Sequence, residues 1–278
     1  AHGRCRCLTL GALCEHPHAY TLVTLDADDN LTCRSENLAM PGDLGLIDCH
    51  SHTQYAYCGQ TVDTEHSRAF AEMMDLGGLA FTEHSGQLYF SHEAYRRGRF
   101  CEQGVDGSRP ADRRIEGYLQ TVRAIQSPDV LLGLEVDVDF QGRQVLLEEH
   151  RAPLQLLVGA VHFLPESVKP AAERDPGRFA AQFQDLTQRL CRTGIHILAH
   201  PFRIFRRSQI PVPERLFPWL ANVLRETGVA AELNYHTNVP HDRFVELCLE
   251  RNVKLSFGSD AHELWEIGEF YPHLQLLD

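Results

Sequence analysis

The stretch LIDCHSHTQYAYCGQ, residues 46–60, decides how the rest of this chain is read. Its apolar start reads as a β-strand, and that strand ends on His50 and His52. Residues i and i+2 of a strand share a face, so both imidazoles point the same way from the strand's C-terminal end. A pair aimed like this can chelate one ion, although a single histidine at a strand end is more often a hydrogen-bonded core residue. Asp48 lies two residues earlier on that face, as an outer partner of a ligand histidine or as a buried structural carboxylate.

Outward from that stretch the same pattern recurs. Apolar runs rich in β-branched residues alternate with segments of helical period: LGLIDCH, GLAFTEH, VLLGLEVDV, LLVGAVHF, HILAHPF, VAAELNYH and VKLSFGSDAH. Helices are predicted over 62–76, 113–126, 176–191, 214–227 and 241–251, with a less periodic candidate over 144–150. Seven β-α units with near-continuous apolar strands predict an α/β protein with a parallel sheet, closed as a barrel or doubly wound. The longest irregular stretches, 85–112, 163–175 and 202–213, each follow a strand. In parallel barrels those loops carry the chemistry. Residues 1–44 read differently: HAYTLVTLDADDNLTCR alternates apolar and polar on either side of 26–30. That predicts an N-terminal β-hairpin extension ahead of a catalytic domain over 45–278.

The totals narrow the function. With 278 residues, 43% hydrophobic, the chain can bury a full core, and its net charge of −12 lacks the basic footprint of a general duplex-DNA binder. No run approaches the roughly 18 apolar residues of a membrane span, so no membrane association and a cytoplasmic location are expected. Nine scattered cysteines are an odd number in a large domain, and they read as reduced thiols. Cys5, Cys7, Cys14, His16 and His18 cluster near the N-terminus, but their spacing matches no common closed zinc site, which favours free thiols.

Comparing the strand ends answers why His50 and His52 stand together. The second strand ends in Glu83 and His84, the third in Glu135 to Asp137, the fourth in His162, the fifth in His200 and the seventh in Asp260 and His262. Six ends out of seven deliver metal-type ligands to one end of the sheet. The motifs DCHSHT, FTEHS, GLEVDV, GAVHF, LAHPF and GSDAH, in that order, resemble those of the polymerase and histidinol phosphatase superfamily, metal-dependent phosphoesterases on a distorted seven-stranded (β/α)7 barrel. The resemblance covers residues 44 to about 269.

The resemblance implies that His50, His52 and Asp260 bind a first ion, that Glu135 bridges it to a second, and that His162 and His200 complete the second shell. Glu135, Asp260 and His200 would then carry catalysis. His84 and His262 would hold a third ion, which the family completes with a histidine in the loop after the first strand. Here the chain departs: the family's Cys-Gly-His is Cys58-Gly59-Gln60. A neutral amide is a poorer zinc ligand than imidazole, so the third site is weak, differently completed or empty, and Gln60 is its open ligand. His66 could substitute, but it falls in a predicted helix and reads as a surface residue.

Two to three divalent ions, zinc, manganese or iron, are therefore implied. A phosphate ester resists attack because its oxygens are negative, and two ions roughly 3.5 to 4 Å apart neutralise them and activate water. Cationic partners are at hand in HPFRIFRR, with Arg203, Arg206 and Arg207, and in EAYRRGRF, with Arg97. Guanidinium forks suit phosphate oxygens. Tyr55, Tyr57, Tyr89 and Phe90 either stack on a substrate ring or cover the barrel rim. The expected partner is a small phosphorylated substrate, with histidinol phosphate the family precedent. A nucleotide phosphatase or a 3'/5' exonuclease on the same ions is the alternative, and a non-catalytic metal-binding scaffold is a third reading. Nucleic acid is possible but not favoured, because no further binding module fits in the chain.

Overall fold

The computed structural model describes residues 19–25, 31–37 and 44–277. The N-terminal cluster from Cys5 to His18 lies outside them. Strands β1 (Ala19–Leu25) and β2 (Leu31–Asn37) pair antiparallel from Ala19 opposite Asn37 to Leu25 opposite Leu31, a two-stranded sheet of their own.

Seven further strands follow in chain order: β3 (Ile47–Ser51), β4 (Gly78–His84), β5 (Val130–Asp137), β6 (Leu156–Ala160), β7 (Ile197–Leu198), β8 (Ala230–Leu233) and β9 (Leu255–Phe257). Each pairs parallel with the next in a single sheet of order β3 to β9. The end of β3 meets the segment that follows β9, where Asp260 N–H donates to His50 O at 2.7 Å and His52 N–H to Ala261 O at 3.2 Å. The sheet is therefore a nearly closed (β/α)7 barrel, and the contact that draws it together lies at its site-bearing end.

Alternation sorts the side chains. Leu132, Leu134 and Val136 of β5 face outward into the main apolar layer beneath the helices, which leaves Glu135 and Asp137 to the interior. Small residues fill the barrel's inside: Val158, Ala160, Ile197, Ala199 and Ala230 form a cluster that also touches Cys49. The helix Pro176–Cys191 buries Phe179, Phe183, Leu186 and Leu190 along one stripe. It starts where Asp175 accepts from Arg178 N, with Pro176 in the first turn, a combination that satisfies an orphan donor and presets φ.

Helix Thr64–Met73 likewise begins at Asp63, whose side chain accepts from Glu65 N and His66 N. His66 itself is exposed, with its ring on Asp63 Oδ2 at 2.7 Å, so it lies on the surface. The stretch 85–112 is less irregular than its sequence suggests. It holds three five-residue helices, Ser85–Tyr89, His92–Arg96 and Arg99–Gln103, which bury Leu88, Tyr89 and Phe100. The candidate over 144–150 shrinks to Glu148–Arg151.

The C-terminal helix Tyr271–Leu277 inserts His273 among Tyr235, Phe257 and Phe270, at ring centroid distances of 4.9, 5.2 and 4.9 Å. Burial pushes this imidazole down to about 4. Between the ordinary value of 6.5 and about 4 the folded chain thus binds fewer protons than the unfolded one. Its contribution to stability is complete above 6.5 and shrinks as the pH falls, by roughly 3 kcal/mol near pH 4. Denaturation of the parent and of His273→Leu from pH 7 to pH 4.5 should show the gap between them changing in the variant's favour on acidification. A constant gap would contradict a neutral buried imidazole.

Candidate metal centre

Glu135 stands at the middle of the barrel mouth, fully buried near the end of β5. Its Oε1 lies 2.9 Å from His200 Nε2, 3.2 Å from His162 Nε2 and 3.6 Å from His50 Nε2. Its Oε2 contacts His84 Nδ1 and lies 4.0 Å from His52 Nε2. Five imidazoles from four strand ends thus surround one carboxylate. Asp260, after β9, brings Oδ1 to 2.9 Å from His52 Nε2 and 3.7 Å from His50 Nε2. His262 joins with its ring 4.3 Å from that of His52. All eight residues expected as ligands therefore converge on one place.

The fit to metal can be tested on His50. Its Nδ1 donates to Glu232 Oε1 at 2.7 Å, while Nε2 is buried and without a hydrogen-bond partner. An orphaned buried polar atom is unfavourable unless something else meets it. The 3.6 and 3.7 Å separations to Glu135 and Asp260 are long for hydrogen bonds. They match donors sharing an ion, since ligand atoms each about 2.0 to 2.1 Å from a tetrahedral metal stand roughly 3.4 Å apart. The groups His50, His52, Glu135 and His84, Glu135, His162 each place ion-binding atoms within 4.8 Å of one another, as do His52, His84, His262. The residues present fit divalent ions.

Charge balance shapes the protonation of the set. Burial alone would push His50 down, but Glu232, Asp260 and Glu135 outweigh it and hold the imidazole well above its ordinary value. Burial would raise Glu135, yet His84, His162 and His50 hold it well below. Asp260 is likewise held down, by Arg203 and His50 against its burial. His200 goes the other way, lowered by burial and by Arg203. The pattern is that of carboxylates kept ionised among bases, which a cation can enter by displacing protons.

A ring of outer carboxylates orients the imidazoles. Asp137 Oδ1 accepts from His162 Nδ1 at 2.6 Å, Glu83 Oε1 lies 3.2 Å from His52 Nδ1, and Glu232 takes His50 Nδ1. Carboxylate–histidine pairs of this kind fix tautomer and ring direction. Glu232 also accepts from His200 N at 2.6 Å. Two candidate ligands, His200 (φ 29°) and Asp260 (φ 55°), and Phe202 (φ 70°) have left-handed backbone, and strain of that kind, of order 1 to 3 kcal/mol each, persists only where surroundings enforce it.

The two readings of Asp48 resolve toward structure. It is buried, accepts from Ser259 N at 3.0 Å and Gly268 N at 3.1 Å, and ties β3 to the chain after β9. The outer partner missed in the sequence is Glu232. Its signal was a lone charge inside the apolar run VAAELNYH, since a buried carboxylate must have partners.

Above the centre opens a cavity of about 440 Å³, whose lining includes Cys58, Gln60, Gln87, Tyr95, Arg203 and Arg207. Arg203 is buried; Nη1 pairs with Asp260 Oδ2, and Nη2 lies 2.6 Å from His200 Nε2. Arg206 is exposed and is not part of the lining. Arg97 is exposed, pairs with Glu93 at 2.7 Å and lines a different cavity of about 270 Å³. The four aromatics support loops instead: Tyr57 OH donates to Phe90 O at 2.8 Å under the Arg114 guanidinium, Tyr55 OH meets Thr121, and Tyr89 is fully buried on His150. Tyr95 and Phe163 line the mouth in their place.

A parallel β/α barrel with a many-histidine, carboxylate-centred site at its C-terminal mouth defines the class. The chain belongs to the PHP domain family, whose model matches residues 48–236 and so ends before Asp260 and His262. It is 26% identical over 247 residues to a "Probable histidinol-phosphatase" of Deinococcus radiodurans, covering 81% of this chain and 89% of that one. A crystal structure of a Listeria monocytogenes protein provisionally named a histidinol phosphatase superposes with a TM-score of 0.59 at 15% identity, over 82% of this chain and 99% of that chain. Among the described residues no helix is long and apolar enough to cross a membrane.

Proposed function

We propose that this chain is a metal-dependent phosphomonoester hydrolase acting on a small phosphorylated molecule of the histidinol phosphate kind. The observation that carries the reading is the Glu135 carboxylate encircled by His50, His52, His84, His162 and His200. The Deinococcus radiodurans relative supports the substrate class by its name. Two to three ions of zinc, manganese or iron would be held by these residues with Asp260 and His262. When bound, they supply Lewis-acid neutralisation of the phosphate oxygens and acidify water.

The chain's own residues do the rest. Glu135 keeps both oxygens among imidazoles, so either oxygen would be available to a bound ion. Asp260 engages Oδ2 with Arg203 and with Asn234 Nδ2 at 3.2 Å, which leaves Oδ1 facing His50 and His52. Arg203 and Arg207 present guanidinium groups to the mouth, where a dianionic phosphate enters. The deciding experiment measures bound metal alongside phosphate release from histidinol phosphate, sugar phosphates, nucleotides and short oligonucleotides. Turnover of a small monoester above the oligonucleotides supports the reading; bound metal with no turnover of any substrate would leave a metal-binding scaffold.

Arg203→Ala is expected to raise KM for the phosphomonoester more than it lowers kcat, because a clamp on the ground-state phosphate contributes uniform binding. Steady-state kinetics with saturating metal decide it. An unchanged KM would confine Arg203 to its ion pair with Asp260.

A further inference from the structure

We infer that Cys58 is the third donor of a metal site with His84 and His262, so that this chain offers a thiolate where its family resemblance calls for an imidazole. The inference rests on the reading of the centre as a metal site and adds one ligand to it. Three imidazoles mark the place independently of the cysteine. The His84 ring stacks on His52 at 4.1 Å, His262 lies 4.3 Å from His52, and the ion-binding atoms of all three fall within 4.8 Å of one another. Neutral or cationic rings packed this closely gain from an added anionic donor and a cation between them.

Cys58 supplies that donor. It lines the mouth cavity together with His84 and His262. Gln87 Nε2 donates to Sγ at 3.2 Å, an outer contact of the kind that orients a ligand.

Gln60 contributes through its backbone. Its N–H donates to His262 O at 2.9 Å, pinning the loop that carries Cys58 against the histidine while the amide side chain stays exposed. The loop thus keeps its place although its histidine is gone. A thiolate with two imidazoles is a soft donor set, suited to zinc over manganese or magnesium.

Cobalt(II) reads the sulfur directly, because thiolate ligation produces a charge-transfer absorption in the near ultraviolet that imidazole and carboxylate do not. The full chain and Cys58→Ser are stripped with chelator, checked by circular dichroism, and reloaded with cobalt. The parent is expected to show the stronger absorption and to retain one more equivalent under mild chelation. The ion at that site should bind on the order of tenfold or more weakly in the variant. The N-terminal cysteines are common to both proteins and cancel in the difference. Identical spectra and retention, with cobalt bound to both, overturn the assignment of Cys58 and leave the rest of the centre standing. No cobalt bound by either protein overturns both readings.

Discussion

Glu135→Gln is expected to lower phosphate release on the order of 10³-fold or more with the circular dichroism spectrum unchanged. The substitution keeps volume and one oxygen and removes the charge. In the parent, Oε1 faces the Nε2 atoms of His200, His162 and His50, and Oε2 faces His84 and His52. An amide turns one of those faces into an NH₂ group, which cannot ligate and opposes whichever imidazole protons remain. Whichever way it rotates, the bridge between two groups of histidines is lost. His200→Ala removes one of the imidazoles packed on the same carboxylate and should lower turnover in the same direction. Metal analysis of Glu135→Gln should show loss of bound ions in parallel with activity. Near-parental turnover with full metal content would sink the assignment of Glu135 as the centre of the site.

How much of this was legible in the sequence follows from where each residue sits. The eight inner residues were readable because each closes an apolar strand, and a strand's C-terminal end in a parallel barrel points into the mouth. The barrel itself followed from seven such strands separated by helical periods. Glu232 was not readable as a partner, because one charge within an apolar run names no address; only the closed barrel brings β8 against His50 and His200. The burial of Arg203 depended on the short helix Arg203–Arg207 turning back through a left-handed Phe202, a geometry that HPFRIFRR does not announce. The helices within 85–103 escaped for a simpler reason. Each spans five residues, shorter than the window over which a 3.6-residue period can show.

Glu232→Gln is the second large effect, and it separates positioning from ligation. Glu232 Oε1 takes the proton of His50 Nδ1 at 2.7 Å, while Oε2 accepts from His200 N at 2.6 Å and Asn234 Nδ2 at 3.2 Å. Every one of these partners is a donor. A glutamine must therefore turn its NH₂ toward at least one donor, and either the His50 tautomer or the His200 backbone loses its hold. The packing leaves no room to evade this. A Cβ at Gly258 would meet Glu232 Oε1 at 2.1 Å, so the glycine in GSDAH is there to admit the carboxylate. Losing an outer partner of a metal-ligating histidine weakens metal binding about 10- to 100-fold. The variant should accordingly need more metal for half-maximal activity and regain most of its kcat when metal is added in excess, with KM near the parent's. Glu135→Gln, lacking a ligand, should gain little from the same addition. If excess metal fails to restore Glu232→Gln while its fold is intact, Glu232 acts on the reacting groups themselves, and its assignment as a positioning residue is wrong.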